Sequence, residues 1–463
     1  MRSLSVCTKI LEEQGINYSI YELDSKSFSI IDPRVKKRIE QVKQIAESLN
    51  CVVGIVGGFI RDLLLKKPSK DVDFVVIEGD LEKLTEEIAK KLKAKKAIIH
   101  NQTLTTQIRF GEGIVFEFNA PRVESYEPLS RVPKVRRGTI IDDLTRRDFT
   151  INSFILFENK YLDIFNSKKD LLEGIIRTTR EPSIVFSEDY LRIFRAIRFA
   201  CLLDFKIEEK TKKGIIENAH QLSFVAKERI IEEIRLTAKK DIVCCFKLMT
   251  ELAIIHTLFP ELKNEKINDT YIVSLKYEKI EKELELVKQQ KGINYFLCFF
   301  ALVMKEQFIE KENYLAKIKN ELKKFKFSKK EIEKILLIIK YSNTLIHHIF
   351  YPVSKKELGL LLREIFEIRE EVIAINIAEN KLLKKKNKNL EKIIGDLREL
   401  SKDKELIFIK PAVNGNELME LGIKKMEINQ CKEFLIHALM DEQLENTKEE
   451  CIKYVKRYYL QKR

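Results

Sequence analysis

Turn-forming residues are scarce in this chain, with 15 glycines and 9 prolines in 463 residues. That scarcity disfavours disorder and suits a mostly helical protein. The eight cysteines (Cys7, Cys51, Cys201, Cys244, Cys245, Cys298, Cys431 and Cys451) contain no C-x-x-C pair and no histidine at ligand spacing. Neither a zinc site nor a disulfide framework is expected, and all eight read as reduced and mostly buried. No long apolar stretch follows Arg2, and the longest apolar run, Tyr295 to Met304, is too short to span a bilayer. The expectation is a cytoplasmic protein without a membrane partner.

What is present is length and positive charge. A chain of 463 residues exceeds what one hydrophobic core usually serves, so several domains are expected. Lys and Arg outnumber Asp and Glu by 85 to 71, a formal charge of +14. Clustered, that excess would hold a polyanion by counterion release; dispersed, it would only solvate helix faces.

Between about residues 51 and 163 short apolar runs alternate with Gly, Pro and Asp, at Val72 to Ile77, Gln107 to Phe110 and Ile114 to Phe118. These are strand signals, interrupted by helical periodicity over Leu81 to Leu92. Beyond Asp189 the pattern is helical almost to the end, with breaks expected at Pro260-Glu261, at Asn264 to Asp269 and at Pro352. Five of the eight residues from Lys381 to Lys388 are lysine, marking either a linker or a surface for an anion. The first 35 residues form an extra segment ahead of this pattern.

The strongest local signal runs Gly57-Gly58-Phe59-Ile60-Arg61-Asp62, then Asp71-Val72-Asp73-Phe74. Val53 to Val56 reads as a strand, and the two glycines let the backbone turn tightly enough for amides to face a phosphate, with Arg61 close by. Asp71 and Asp73, two apart at a strand start, leave the same face while Val72 and Phe74 enter the core. Two such carboxylates suit Mg²⁺ with waters and a triphosphate, although an isolated Asp-x-Asp is more often a solvated strand start. With its Gly-Gly turn the segment resembles the nucleotidyltransferase superfamily headed by DNA polymerase β. Glu117, alternating against Phe116 and Phe118, leaves the opposite face of its strand from them; the resemblance implies a third carboxylate near the metals.

Two further strings narrow the resemblance. Arg146-Arg147-Asp148-Phe149-Thr150-Ile151-Asn152 offers guanidinium forks for phosphate and an Asp that accepts from a hydroxyl, as a polar helix cap also would. Glu188-Asp189-Tyr190-Leu191-Arg192 continues to Arg195 and Arg198, and the three-residue recurrence predicts one polar stripe from Asp189 along a helix. Together the strings resemble class II tRNA nucleotidyltransferases, the bacterial CCA-adding enzymes and their poly(A) polymerase relatives. The likeness covers about residues 50 to 262, including Asp163 to Arg177 and Lys227-Glu228-Arg229-Ile230 through Glu233. The family's Pro and Gly pair is absent from Asp163-Ile164-Phe165-Asn166-Ser167-Lys168-Lys169-Asp170, a segment that reads as a springy loop.

The resemblance implies an α+β fold: a small polymerase-β-like head with a mixed sheet, then all-helical neck, body and tail. The expected division is an extension over 1–35, catalytic head 36–160, neck 161–262 with the base-reading template, body 263–385 and tRNA-binding tail 386–463. It implies addition of CCA to the 3′ end of tRNA from CTP and ATP. Asp71 and Asp73 would hold Mg²⁺; Gly57, Gly58, Arg61, Asp62, Arg146, Arg147, Asp148, Asn152, Glu188, Asp189, Arg192, Arg195 and Arg198 would bind the nucleotide. CC-only or A-only addition, poly(A) synthesis and a non-catalytic tRNA-binding protein are the alternatives. No basic Gly-Arg-Arg-Phe-Arg-like stretch follows Asp73, which disfavours poly(A) synthesis. The long polar segment Arg122 to Gly138 favours complete CCA over CC-only addition.

Overall fold

The computed structural model describes residues 2–67, 69–100, 103–125, 134–262, 273–342, 354–383, 388–441 and 443–460. The chain divides into two compact units, the first of residues 1–241 and 248–258, the second of 242–247 and 259–463.

The first unit opens with α1 (Arg2–Glu13), β1 (Ser19–Glu22), α2 (Ser25–Ser29) and α3 (Pro33–Ser48). Asp32 caps α3, accepting from the Arg34 amide, and Pro33 sits at its first turn, where the missing N–H costs nothing. There follow β2 (Val52–Val56), α4 (Gly58–Leu64), β3 (Asp71–Glu78), α5 (Leu81–Lys91), β4 (Lys96–His100), β5 (Thr105–Arg109) and β6 (Val115–Asn119). A ribbon of β7 (Arg122–Ser125) and β8 (Lys134–Arg137), then α6 (Ile140–Thr145), β9 (Phe154–Phe157) and β10 (Lys160–Asp163), complete the head.

Eight strands form one sheet in the order β1-β10-β9-β2-β3-β6-β5-β4. Only β3 and β6 pair in parallel, so the sheet is mixed as expected. The period-two alternation of β3 divides its residues cleanly. Phe74 stacks on Phe118, centroids 4.8 Å apart, on one face. On the other face Val75 and Ile77 join a core with Val52, Ile155, Leu162, Ile140 and Leu144. Asp71 and Asp73 share the parity of Val75 and Ile77 but lie at the strand's open end.

The extra N-terminal segment is integral to the head. Cys7 and Leu11 of α1 are buried in that same core, while β1 adds an antiparallel edge strand, Ser19 opposite Asp163. Tyr21 lies 5.4 Å from the Tyr161 ring.

Beyond the sheet come α7 (Ser167–Glu173), β11 (Ile175–Ile176), α8 (Pro182–Glu188), α9 (Leu191–Leu203), β12 (Lys206–Ile207), α10 (Glu209–Asn218) and α11 (Lys227–Ala238). The two-residue β11 and β12 pair in parallel, a small addition to the all-helical expectation. The segment expected to be springy is a tight capped turn. The buried Asp163 carboxylate accepts from the amides of Phe165, Ser167 and Lys168, and Asn166 takes the left-handed conformation at φ 58°.

Every described segment of the second unit is helical or irregular. Its helix Tyr295–Phe308, which contains the longest apolar run, is buried from Phe296 onward, and among the described residues no helix is long and apolar enough to cross a membrane. In its C-terminal part Asn446 ties the Pro411 region down, accepting from the Ala412 amide and donating to the Lys410 carbonyl. The breaks expected at Asn264 to Asp269 and Pro352, most of the lysine run at 384–387, and 126–133 of the polar segment lie outside the described residues. The flanks of that last segment form the β7–β8 ribbon. Cys7, Cys51, Cys245, Cys298, Cys431 and Cys451 are buried thiols outside any disulfide. Cys201 and Cys244 depart from expectation, since each is disulfide-bonded.

Candidate active site

A cleft of about 690 Å³ in the first unit collects nearly every candidate residue. Asp71, Asp73 and Glu117 line it together with Gly58, Arg61 and Asp62, with Arg146, Arg147, Asp148 and Asn152, and with Asp189, Arg192, Arg195 and Arg198. Gly57 and Glu188 are not among its lining residues.

Gly57 makes the cleft possible. Its φ is +83°, and a Cβ there would come within 2.9 Å of Asp73 Oδ2 and 3.0 Å of Arg147 Nη1. Only glycine both adopts that conformation and lets the turn approach the carboxylate. Asp73 faces Glu117 across the parallel β3–β6 pairing. Burial pushes the Asp73 carboxyl up to about 6, Arg147 opposes the rise, and the like charges of Glu117 and Asp71 add to it. Burial also raises Asp71. Among the described residues no three ligating side chains form a ready metal cluster. A divalent ion would relieve the crowding at Asp73 with these two carboxylates and would draw its remaining ligands from water and phosphate, the habit of Mg²⁺.

The arginines are held by buried carboxylates. Asp143 receives Arg146 Nη2 at 2.6 Å and Arg147 Nη2 at 3.0 Å. Burial alone would raise the Asp143 carboxyl, but these two guanidiniums outweigh it and hold it low. Asp148 accepts from the Phe149 amide and Asn152 Nδ2 on one oxygen and from Arg195 Nε at 2.6 Å on the other. Asn152 in turn accepts from Arg61 Nη1 at 2.7 Å. Asp148 and Asn152 therefore bracket Arg195 and Arg61.

The Glu188 to Arg198 stretch differs in detail from the expected stripe. Asp189 has extended backbone, φ −154°, in the bend between α8 and α9, where Oδ1 accepts from the Leu191 amide at 3.0 Å. It precedes the helix that carries Arg192, because a carboxylate capping the first turn stands outside it. Asp189 and Arg192 also have different partners. Arg229 grips Asp189, Nη2 to Oδ2 at 2.8 Å. Arg192, largely buried, donates to Glu188 Oε2 at 2.6 Å, to the Val185 carbonyl and to the Arg146 carbonyl. Arg198 donates to Glu233 Oε2 at 2.5 Å.

Arg229, Asn119, Arg122 and Phe199 also line the cleft but were not among the candidates. Arg229 lies in the Lys227-Glu228-Arg229-Ile230 stretch, whose family likeness was its only signal. Eight arginines and six carboxylates face the cleft, 8 − 6 leaving an excess of two positive charges, the sign that receives a polyphosphate.

The family model for the poly A polymerase head domain matches residues 53–177, and the one for a probable RNA and SrmB-binding site of polymerase A matches 204–266. A CCA-adding enzyme of Limosilactobacillus reuteri is 32% identical over 283 residues, 57% of this chain and 67% of that one. The chain belongs to the family of tRNA nucleotidyltransferases and poly(A) polymerases. Within that family it is 42% identical over 181 residues to a CCA-adding enzyme of Pediococcus pentosaceus, covering 38% of this chain and less than half, 44%, of the relative. An A-adding tRNA nucleotidyltransferase of Halalkalibacterium halodurans is 24% identical over 444 residues, 91% of this chain and 92% of the relative. The fold of a Thermotoga maritima CCA-adding enzyme solved with tRNA superposes with TM-score 0.63 at 20% identity, covering 94% of this chain and 98% of that one. For the CCA-adding enzyme of Bacillus stearothermophilus solved with CTP the TM-score is 0.66 at 20% identity, with 93% and 99% covered.

Proposed function

We propose that this chain adds the terminal CCA to tRNA from CTP and ATP, releasing pyrophosphate. The observation that carries the reading is a single cleft in which the Asp71–Asp73 pair, an arginine array and the Asp189 and Arg192 side chains meet. The division into head 36–160, neck 161–262, body 263–385 and tail 386–463 goes with it, as does grip on tRNA through the basic helical half. Mg²⁺ held at Asp71 and Asp73 would supply activation of the tRNA 3′ hydroxyl and neutralisation of the departing pyrophosphate.

The protein's own residues then do the positioning. The arginines receive the triphosphate, and Gly57 keeps the turn tight against Asp73. Cytosine and adenine both present an amine donor beside a ring nitrogen acceptor, whereas uracil and guanine present a carbonyl beside an N–H. A carboxylate at Asp189 and a guanidinium at Arg192 match the first pair and oppose the second.

A second reading, addition of the final A alone, is favoured by the nearly full-length likeness to the H. halodurans relative, named as A-adding. Purified protein incubated with tRNA ending before CCA, or ending in CC, separates the readings by product length. Three added residues on the first acceptor support CCA addition; extension of the CC-ending acceptor alone supports A addition; no extension of either rejects both.

A further inference from the structure

Three cationic side chains converge on one aromatic ring in the cleft. The guanidinium carbons of Arg198, Arg61 and Arg195 lie 4.4, 4.9 and 5.3 Å from the centroid of Phe199. Each distance is within cation–π range. Phe199 is buried, 5% exposed, and its own ring is fixed edge-on against Phe149, centroids 5.9 Å apart at 83°. Arg61 comes from α4 of the head; Arg195 and Arg198 come from α9. The ring is thus where the two elements bring their positive charge together.

Three guanidiniums this close repel one another, and each is offset by one carboxylate: Asp62 for Arg61, Asp148 for Arg195 and Glu233 for Arg198. Those carboxylates occupy the Nε edge, and in Arg61 one Nη as well. Among the described residues the terminal nitrogens of Arg195 and Arg198 have no carboxylate partner. A fourth carboxylate at position 199 would consume those donors, and an aliphatic side chain would pack without attracting them. An aromatic face attracts all three cations and takes no N–H from any of them.

We infer that Phe199 is a positioning residue that gathers Arg61, Arg195 and Arg198 into a receptor for the triphosphate, whichever base the nucleotide carries. This rests on the reading of the cleft as a nucleotide site. It separates two duties within one cleft, because Asp189 and Arg192 read the base while the Phe199 cluster takes the charge common to all nucleotides.

The test uses the full chain, with inorganic triphosphate and the four nucleoside triphosphates as ligands. Phe199→Leu is expected to weaken inorganic triphosphate, CTP, ATP, UTP and GTP in parallel, by about tenfold, while the incorporation ratio of C and A to U and G holds. Phe199→Tyr, which keeps the aromatic face, is expected to restore affinity. Should the leucine variant fold poorly, phenylalanines of increasing fluorination at 199 keep ring shape while draining its negative face, and triphosphate affinity should fall stepwise with each. A folded Phe199→Leu protein that binds inorganic triphosphate within twofold of wild type, or affinity unmoved by fluorination, overturns the proposal. Wild-type protein that binds triphosphate in this ring-dependent way yet extends no tRNA refutes the proposed function and leaves the receptor standing.

Discussion

At the residue scale the cleft sorts its carboxylates into those paired with arginine and those crowded by like charge. Asp73 stands where burial, Glu117 and Asp71 crowd negative charge; Asp143 and Asp148 are already committed to guanidiniums. Asp71→Ala or Asp73→Ala is therefore expected to cut nucleotide addition by about a hundredfold or more. Binding of tRNA, measured by filter retention, should survive; full activity in Mg²⁺ would remove the metal assignment. The Asp189–Arg229 pair makes a second expectation. Asp189→Ala should relax the preference for C and A over U and G by about tenfold to a hundredfold, and Arg229→Ala should do so less, by freeing the carboxylate to turn. A four-nucleotide competition measures both, and equal slowing of all four with lower thermal stability would mean that the pair only braces the bend. The candidate residues were legible because Gly-Gly, Asp-x-Asp and the arginine strings are local. Arg229 meets Asp189 from 40 residues away, and three arginines surround Phe199 from two elements, so neither relation is written in any short stretch.

Among the elements, strands with one wet face were the readable ones. β3 and β6 alternate between buried Phe or Val and cleft carboxylates, a period that shows in sequence. β1 is four residues with half its side chains exposed and none fully buried, and its reason to exist is the β10 edge, which sequence does not display. The helix start at Leu191 was shifted in the same way, because a capping carboxylate and a helical one share the same spacing. In the second unit one buried group makes a prediction. Glu283, on the helix Val273–Lys288, is 1% exposed, and its Oε2 has no hydrogen-bond partner. Lys279 on its own helix, Lys305 and Glu306 on Tyr295–Phe308, and Glu379 on Arg369–Leu382 surround it. Burial pushes its carboxyl up to about 8, Lys279 and Lys305 pull it down, and Glu379 and Glu306 push it further up. Between the ordinary value of 4.5 and about 8 the folded chain keeps a proton that the unfolded chain releases. Stability contributed here is thus lost as pH rises through that window. Glu283→Gln should flatten the decline and raise the melting temperature at pH 8 by about 3 °C, followed by thermal scans from pH 5 to about pH 9. An unchanged pH profile would show that the proton is not held there.

For the molecule as a whole the formal charge of +14 predicts that tRNA affinity falls steeply with salt, by about a decade or more between 50 and 200 mM if several phosphates are neutralised. Titrations over that range measure the slope, and a flat one would assign the excess charge to solvated surface. The strand-rich first part and the helical remainder were readable from hydrophobic period, and the mixed sheet from the family resemblance; which end of the chain closes the sheet was not. That closure carries a cost in time. Ser19 to Glu22 find their partners only at Asp163 to Lys160. At about 5–20 residues per second of synthesis, on the order of ten seconds pass before the ribosome has made them. Through that interval α1 offers Cys7 and Leu11 with no finished sheet beneath them, and long-range pairing of this kind is slow to form. The first strand of the protein is one of the last to be placed, and a nascent chain halted before residue 160 should leave it open to proteases and chaperones.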